Sequence, residues 1–196
     1  MIGGIASGKT TLAKLLTSSV GQVVYENFNA NPFWAEFYID PFRFAFETEV
    51  TFLLQHYNSL KKIIASKQHV VVSDFSIFQD LAYARVNLKG GEFSAFQAVY
   101  KETRQQLGFP DLLVHLECGP EEELKRIRAR NRNEEATITV DYLGALNDSI
   151  AALVDEVRHE VDVLTIDSEL LNFADNDAVR EQLANKVMQR LSSANR

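Results

Sequence analysis

GGIASGKT, Gly3 to Thr10, fits the pattern G-x-x-x-x-G-K-[ST], in which successive backbone N–H groups cradle nucleotide phosphates. Gly3 and Gly8 let the backbone turn and approach the anion, with Gly4, Ile5, Ala6 and Ser7 spanning the loop. Lys9 would reach the β- and γ-phosphates, and Thr10 would place its hydroxyl on Mg²⁺. Thr11 opens the run TLAKLL, good helix formers whose positive N-terminal end would face the phosphates. Only Met1 and Ile2 precede Gly3, whereas a strand usually takes about five residues. The first strand is therefore expected to be stunted, or the natural chain to start upstream, where a targeting peptide would also lie.

Composition narrows the class. With 196 residues, 46% of them hydrophobic, the chain suits one globular domain over 1–196. It has no linker-like or repetitive stretch, and no apolar run approaches the roughly 20 residues that span a membrane. The single cysteine, Cys118, excludes an intrachain disulfide and suits a reducing, cytoplasmic setting. A net charge of −7 argues against a nucleic-acid partner. The dense cationic segment is RIRARNR, with Arg126, Arg128, Arg130 and Arg132.

Outward from the loop, the β-rich runs QVVY (22–25), HVVVSD (69–74), DLLVHLE (111–117) and DVLTID (162–167) alternate with helical stretches. This pattern predicts a parallel sheet flanked by helices on both faces, of five strands with the first one counted. In residues 45–66 a stripe of Phe46, Val50, Leu53, Leu54, Tyr57, Leu60 and Ile64 marks an amphipathic helix. Helices are also expected over 142–157 and 179–191, and PEEELKR reads as a helix start with proline at its first position. Ligands of such sheets gather at the carboxyl ends of the strands. This singles out Glu26, Asp74, Glu117 and Asp167. His56, His69, His115 and His159 lack metal-ligand spacing and are read as structural or exposed, while Phe33, Trp34 and Phe37 are candidates for stacking on a base.

Taken in order, these segments resemble the deoxynucleoside kinase family, most closely its bacterial deoxyguanosine/deoxyadenosine kinase branch. GGIASGKTTLAKLL resembles the phosphate loop and first helix, YEN the glutamate after the second strand, and NPFWAEFYIDPFRFAFETEVTFLLQHY the sugar and base pocket. SDFSIFQDLAYA is similar to the segment after the third strand, PDLLVHLE to the fourth strand, and RIRARNRNEE to an arginine-rich lid, about 126–136. The resemblance implies ATP and Mg²⁺, transfer of the γ-phosphoryl to the 5′-hydroxyl of a deoxynucleoside, and a homodimer. It makes Glu26 the general base, Tyr38 and Glu135 the holders of the sugar 3′-hydroxyl, Arg130 and Arg132 the lid arginines with Arg128 beside ATP, and Asp74 the acid near Mg²⁺.

Three positions depart from the family pattern. Phe75 stands where most members carry arginine beside the substrate, and Ala84 where many carry a phenylalanine beside the nucleobase, suggesting room for a purine. Glu47 stands at the position of a base-pairing glutamine. A carboxylate only accepts hydrogen bonds, and guanine offers N1–H beside N2–H₂, so deoxyguanosine is the favoured acceptor. The alternatives are a non-catalytic nucleotide-binding subunit derived from this fold, or a kinase for another nucleoside or nucleotide.

Overall fold

The computed structural model describes residues 1–65, 70–171 and 173–194. His69, the first residue of the expected strand 69–74, lies outside them. Five parallel strands form: β1 (Ile2–Gly3), β2 (Gln22–Val24), β3 (Val71–Ser73), β4 (Leu113–Glu117) and β5 (Val163–Asp167). They make two sheets and not the single five-stranded one expected. One has the order β1-β4-β5 and the other pairs β2 with β3. The reason is the shortness of β1, which supplies residues for only one neighbour, with Ile2 opposite His115 and Gly3 opposite Leu116. On its other side a single bond, from the Met1 amine to the Ser73 carbonyl at 2.9 Å, spans the gap to β3.

Helices cover these strands: α1 (Lys9–Leu16), α2 (Trp34–Ile39), α3 (Pro41–Ala65), α4 (Ile77–Asn87), α5 (Gly90–Leu107), α6 (Pro120–Arg130), α7 (Val140–Val157) and α8 (Asp177–Ala194). Local chemistry sets several boundaries. Ser76 and Thr139 cap α4 and α7 by accepting from the Gln79 and Tyr142 N–H groups. Pro120 starts α6, with Glu121, Glu122 and Glu123 in its first turn and Asn131 ending it in the left-handed region. None of these helices is long and apolar enough to cross a membrane.

Two apolar clusters lie on either side of the strands. Leu12, Leu16, Leu116, Ile166 and Leu183 join α1 and α8 to the three-stranded sheet. Leu53, Phe78, Leu81, Phe96, Ile150 and Leu153 join α3, α4, α5 and α7. The stripe read for α3 is rotated from the face that is buried. Leu54 and Ile64 are 47% and 59% exposed, while Ala45, Thr48, Glu49, Leu53 and His56 are buried. Polar side chains on the covered face of a helix need a reason, and the cleft beside them provides it.

Candidate active site

A cleft of about 650 Å³ opens at the carboxyl ends of the strands, lined by residues 5–11 of the phosphate loop, by α2, α3 and α4, and by the arginine-rich segment that ends α6 and follows it. Gly8 caps α1 with φ +103°, a conformation glycine adopts without strain. Gly4 serves close packing: a Cβ there would run into the ends of the Glu123 and Asn147 side chains. Lys9 Nζ donates to the Gly3 and Gly4 carbonyls, both at 2.8 Å, which holds the ammonium across the mouth of the loop. Burial lowers its pKa, against the attraction of Glu26, Glu123 and Asp74.

Asp74, at the end of β3, ties three segments together. Its Oδ2 accepts from the Thr10 hydroxyl and its Oδ1 from the Glu26 N–H, each at 2.6 Å. Phosphoryl-transfer sites usually hold Mg²⁺ by one or two protein oxygens together with substrate phosphates. The Thr10 hydroxyl and Asp74 carboxylate fit that donor set. Among the described residues no group of three or more His, Cys, Asp or Glu could hold a metal.

Glu26 leaves β2 and lines the cleft. His56 Nε2 lies 3.3 Å from its Oε1, and His56 Nδ1 contacts both Asp80 oxygens, at 2.9 and 3.0 Å. Burial would raise the Glu26 pKa, but the His56 hydrogen bond and charge, with Lys9 and Arg132, outweigh it and hold the carboxyl below its ordinary range. His56 is thus buried, within the structural reading given to it, and bridges two carboxylates. His115 is buried within β4 and burial drops its pKa to about 4, while His159 is exposed.

Tyr38, Arg130, Arg132 and Glu135 meet on one wall of the cleft. Arg130 grips Glu135 with both ends of its fork, Nε at 2.7 Å and a terminal nitrogen at 2.6 Å, and Arg132 adds a contact at 3.3 Å. Thr137 fastens this segment to α2 by donating to the Tyr38 carbonyl at 2.9 Å. Burial pushes the Tyr38 phenol well above its usual pKa, so it remains a hydrogen-bond donor. Trp34 and Phe37 also line the cleft, whereas Phe33 does not. Arg132 lies over the Phe28 ring at 4.2 Å.

Several expected site residues stand elsewhere. Arg128 is exposed and outside the cleft; Arg126, one helical face away, donates to the Ser168 carbonyl at 2.8 Å and reaches the Ala6 carbonyl at 3.4 Å. Residues two apart on a helix point about 200° apart, and the same geometry corrects Glu47. Glu47 is exposed, while Glu49 is 4% exposed, lines the cleft and accepts from Asn87 Nδ2 at 2.7 Å. Burial raises the Glu49 pKa to about 8. Phe75 is packed into the core behind the cleft wall, stacked on His56 at 4.3 Å, and so is not a substrate contact. Ala84 is fully buried away from the cleft, and Tyr83 takes the place on its wall. Of the other strand-end acids, Glu117 is exposed and Asp167 closes a turn by accepting from the Glu169 and Leu170 N–H groups.

Glu123 lies in the segment PEEELKR, which was read only as a helix start. It is fully buried, one oxygen accepting from Asn147 Nδ2 at 3.1 Å and the other without a partner among the described residues; burial raises its pKa to about 7. No charge pattern could have distinguished it from Glu121 and Glu122.

Known proteins resemble this chain in sequence and in fold. The chain is 26% identical over 170 residues to the deoxyadenosine kinase of Dictyostelium discoideum, covering 84% of this chain and 69% of that protein. It is 26% identical over 192 residues to the deoxyguanosine kinase of Bacillus subtilis, covering 94% and 93%. A deoxyadenosine kinase from M. mycoides, solved with bound dCTP, superposes with a TM-score of 0.81 at 21% identity, covering 96% of this chain and 97% of that one. The deoxynucleoside kinase family model matches residues 1–192, and with the phosphate loop and strand-end acids in place the chain belongs to that family and is a phosphotransferase.

Proposed function

We propose that this chain transfers the γ-phosphoryl of ATP to the 5′-hydroxyl of a purine deoxynucleoside, with deoxyguanosine favoured. The observation that carries the choice of base is the buried carboxyl of Glu49 in the cleft wall. In its ionised form it presents two acceptors to the N1–H and N2–H₂ of guanine. Each hydrogen bond from the base favours the ionised form, so guanine itself would help remove the proton that burial retains. Gln79 supports the same base, since it lines the cleft and its Oε1 has no partner among the described residues.

The roles then follow from position. Glu26 takes the proton of the 5′-hydroxyl, which requires an approach of about 3 Å. Tyr38 and Glu135 hold the 3′-hydroxyl. Lys9, Arg130 and Arg132 face the charge that spreads over the moving phosphoryl, where fixed cations lower the barrier most. Thr10 and Asp74 would hold Mg²⁺, which neutralises phosphate charge. The turn after β5, with Ser168, Glu169 and Leu171 on the cleft wall, is suited to the adenine of ATP. The segment 126–136 acts as the lid, and the working form is a cytoplasmic homodimer.

A thermal-shift titration with deoxynucleosides and no ATP tests the acceptor pocket. Saturation at about 100 times Kd stabilises by about 2.7 kcal/mol, which raises Tm by about 5–10 °C for a domain of this size. A response to deoxyguanosine that exceeds the response to deoxycytidine and thymidine supports the reading. Equal Tm with and without every deoxynucleoside refutes it.

A further inference from the structure

His56 sits where an ordinary core histidine would be isolated, yet it bridges two carboxylates. It is 4% exposed on α3, with Asp80 of α4 on Nδ1 and Glu26, beyond β2, on Nε2. Phe75 stacks on the ring at 4.3 Å with 15° between planes, and Phe52 lies at 5.8 Å and 27°. The imidazole is thus fixed in both plane and rotation. With Nδ1 committed to Asp80, Nε2 is left 3.3 Å from Glu26 Oε1.

We propose that His56 is a positioning residue, an imidazolium anchored by Asp80 that holds the Glu26 carboxylate in the cleft through a hydrogen bond from Nε2. Each element packed around the ring contributes to the balance of charge. Burial alone would keep it neutral, but the charge and hydrogen bond of Asp80, then those of Glu26, carry its pKa to about 10. Glu49, on the same helix, faces both Asp80 and His56, and Lys9 and Arg132 act on Glu26 from the phosphate loop and the arginine segment. Phe75 brings no charge to this cluster. The cation nearest to Glu26 on the α3 side is therefore His56, and its effect passes through Glu26 without contact with the substrate.

The inference rests on the role given to Glu26, so its test has two separate arms. In the first, steady-state kinetics compare His56→Phe, which keeps a flat ring between Phe52 and Phe75, with His56→Gln, which keeps an N–H donor but no charge. The expected result is a folded His56→Phe enzyme whose kcat falls about a hundredfold, with an ATP KM within about twofold of wild type, and a His56→Gln enzyme that recovers about tenfold of the loss. A purely structural histidine predicts a loss of stability instead, because removing one partner leaves Asp80 buried and unpaired, with kcat of the folded enzyme unchanged. A kcat of His56→Phe within about threefold of wild type, or no recovery in His56→Gln, overturns the proposal. The second arm records ¹⁵N chemical shifts of the histidine ring in the wild-type chain at about pH 8. Protonation of both His56 nitrogens, with the Nε2 signal displaced in Glu26→Gln, is expected. A neutral ring, or a signal indifferent to Glu26, overturns it. This arm needs neither turnover nor a folded His56 variant, so a wild-type chain that phosphorylates no deoxynucleoside would refute the acceptor reading while leaving the clamp to be decided by the spectra.

Discussion

Base preference should depend on pH in a way fixed by one proton on Glu49. Its carboxyl is buried, accepts from Asn87, and has its pKa pushed up to about 8. Below that value the neutral form dominates, offering one donor and one acceptor as glutamine does, a match for the acceptor and donor of adenine. Above it the carboxylate offers acceptors alone, a match for guanine. If each base uses one form, the ratio of kcat/KM for deoxyguanosine to that for deoxyadenosine follows the ratio of ionised to neutral Glu49. This changes tenfold per pH unit, so from about pH 6.5 to 8.5 the preference moves about a hundredfold toward guanine. The use of a ratio removes the pH dependence of groups that serve both substrates. Competition of the two nucleosides in one reaction, with both monophosphates quantified, gives it directly. Glu49→Gln should abolish the pH dependence and favour deoxyadenosine at every pH, while Glu47→Gln, on the exposed face of α3, should behave as wild type. A wild-type ratio constant within about threefold across the range would refute the reasoning.

Other consequences follow from the same geometry. Gly4→Ala drives a Cβ into Glu123 and Asn147; at about 3 kcal/mol for overpacking, Tm should fall by about 6–12 °C, and adding Glu123→Ala should restore part of it in a melting experiment. Glu26→Gln should lower kcat by about 10²–10⁴ with little change in the nucleoside KM. Because its neighbours hold Glu26 below the usual carboxyl range, the active ionised form is lost only as pH falls through that depressed value, so wild-type kcat should stay level down to about pH 6. Arg130→Ala leaves the buried Glu135 without its bidentate partner and removes a cation from the phosphoryl path. Stability measured by urea unfolding should drop by about 3 kcal/mol, and kcat by about 10³.

The phosphate loop was legible because each of its specified residues answers a local demand of backbone and anion. Glu26 and Asp74 were legible from strand ends. Glu49, His56 and Glu123 were not, for a common physical reason. Apolar periodicity sorts helix positions into covered and uncovered, and a cleft-facing residue is covered while still polar. On α3 the apolar stripe was read as the covered face, yet Glu49 and His56, on its flank, are buried as well. Two of the misplaced assignments, Glu47 and Arg128, are each two residues from the side chain that reaches the cleft. That is a small displacement along the sequence and nearly half a revolution around a helix. The split of the sheet was partly foreseeable, since two residues before Gly3 leave little backbone with which to pair both neighbours.

The central claim is phosphoryl transfer to a deoxynucleoside, and its most direct test is product formation from Mg-ATP with each of the four natural deoxynucleosides supplied separately. At about pH 8.5, where Glu49 is mostly ionised, the account predicts 5′-monophosphates from the purine deoxynucleosides, with deoxyguanosine ahead of deoxyadenosine and both ahead of the pyrimidines. A folded chain that binds ATP and yields no monophosphate from any of the four would contradict it.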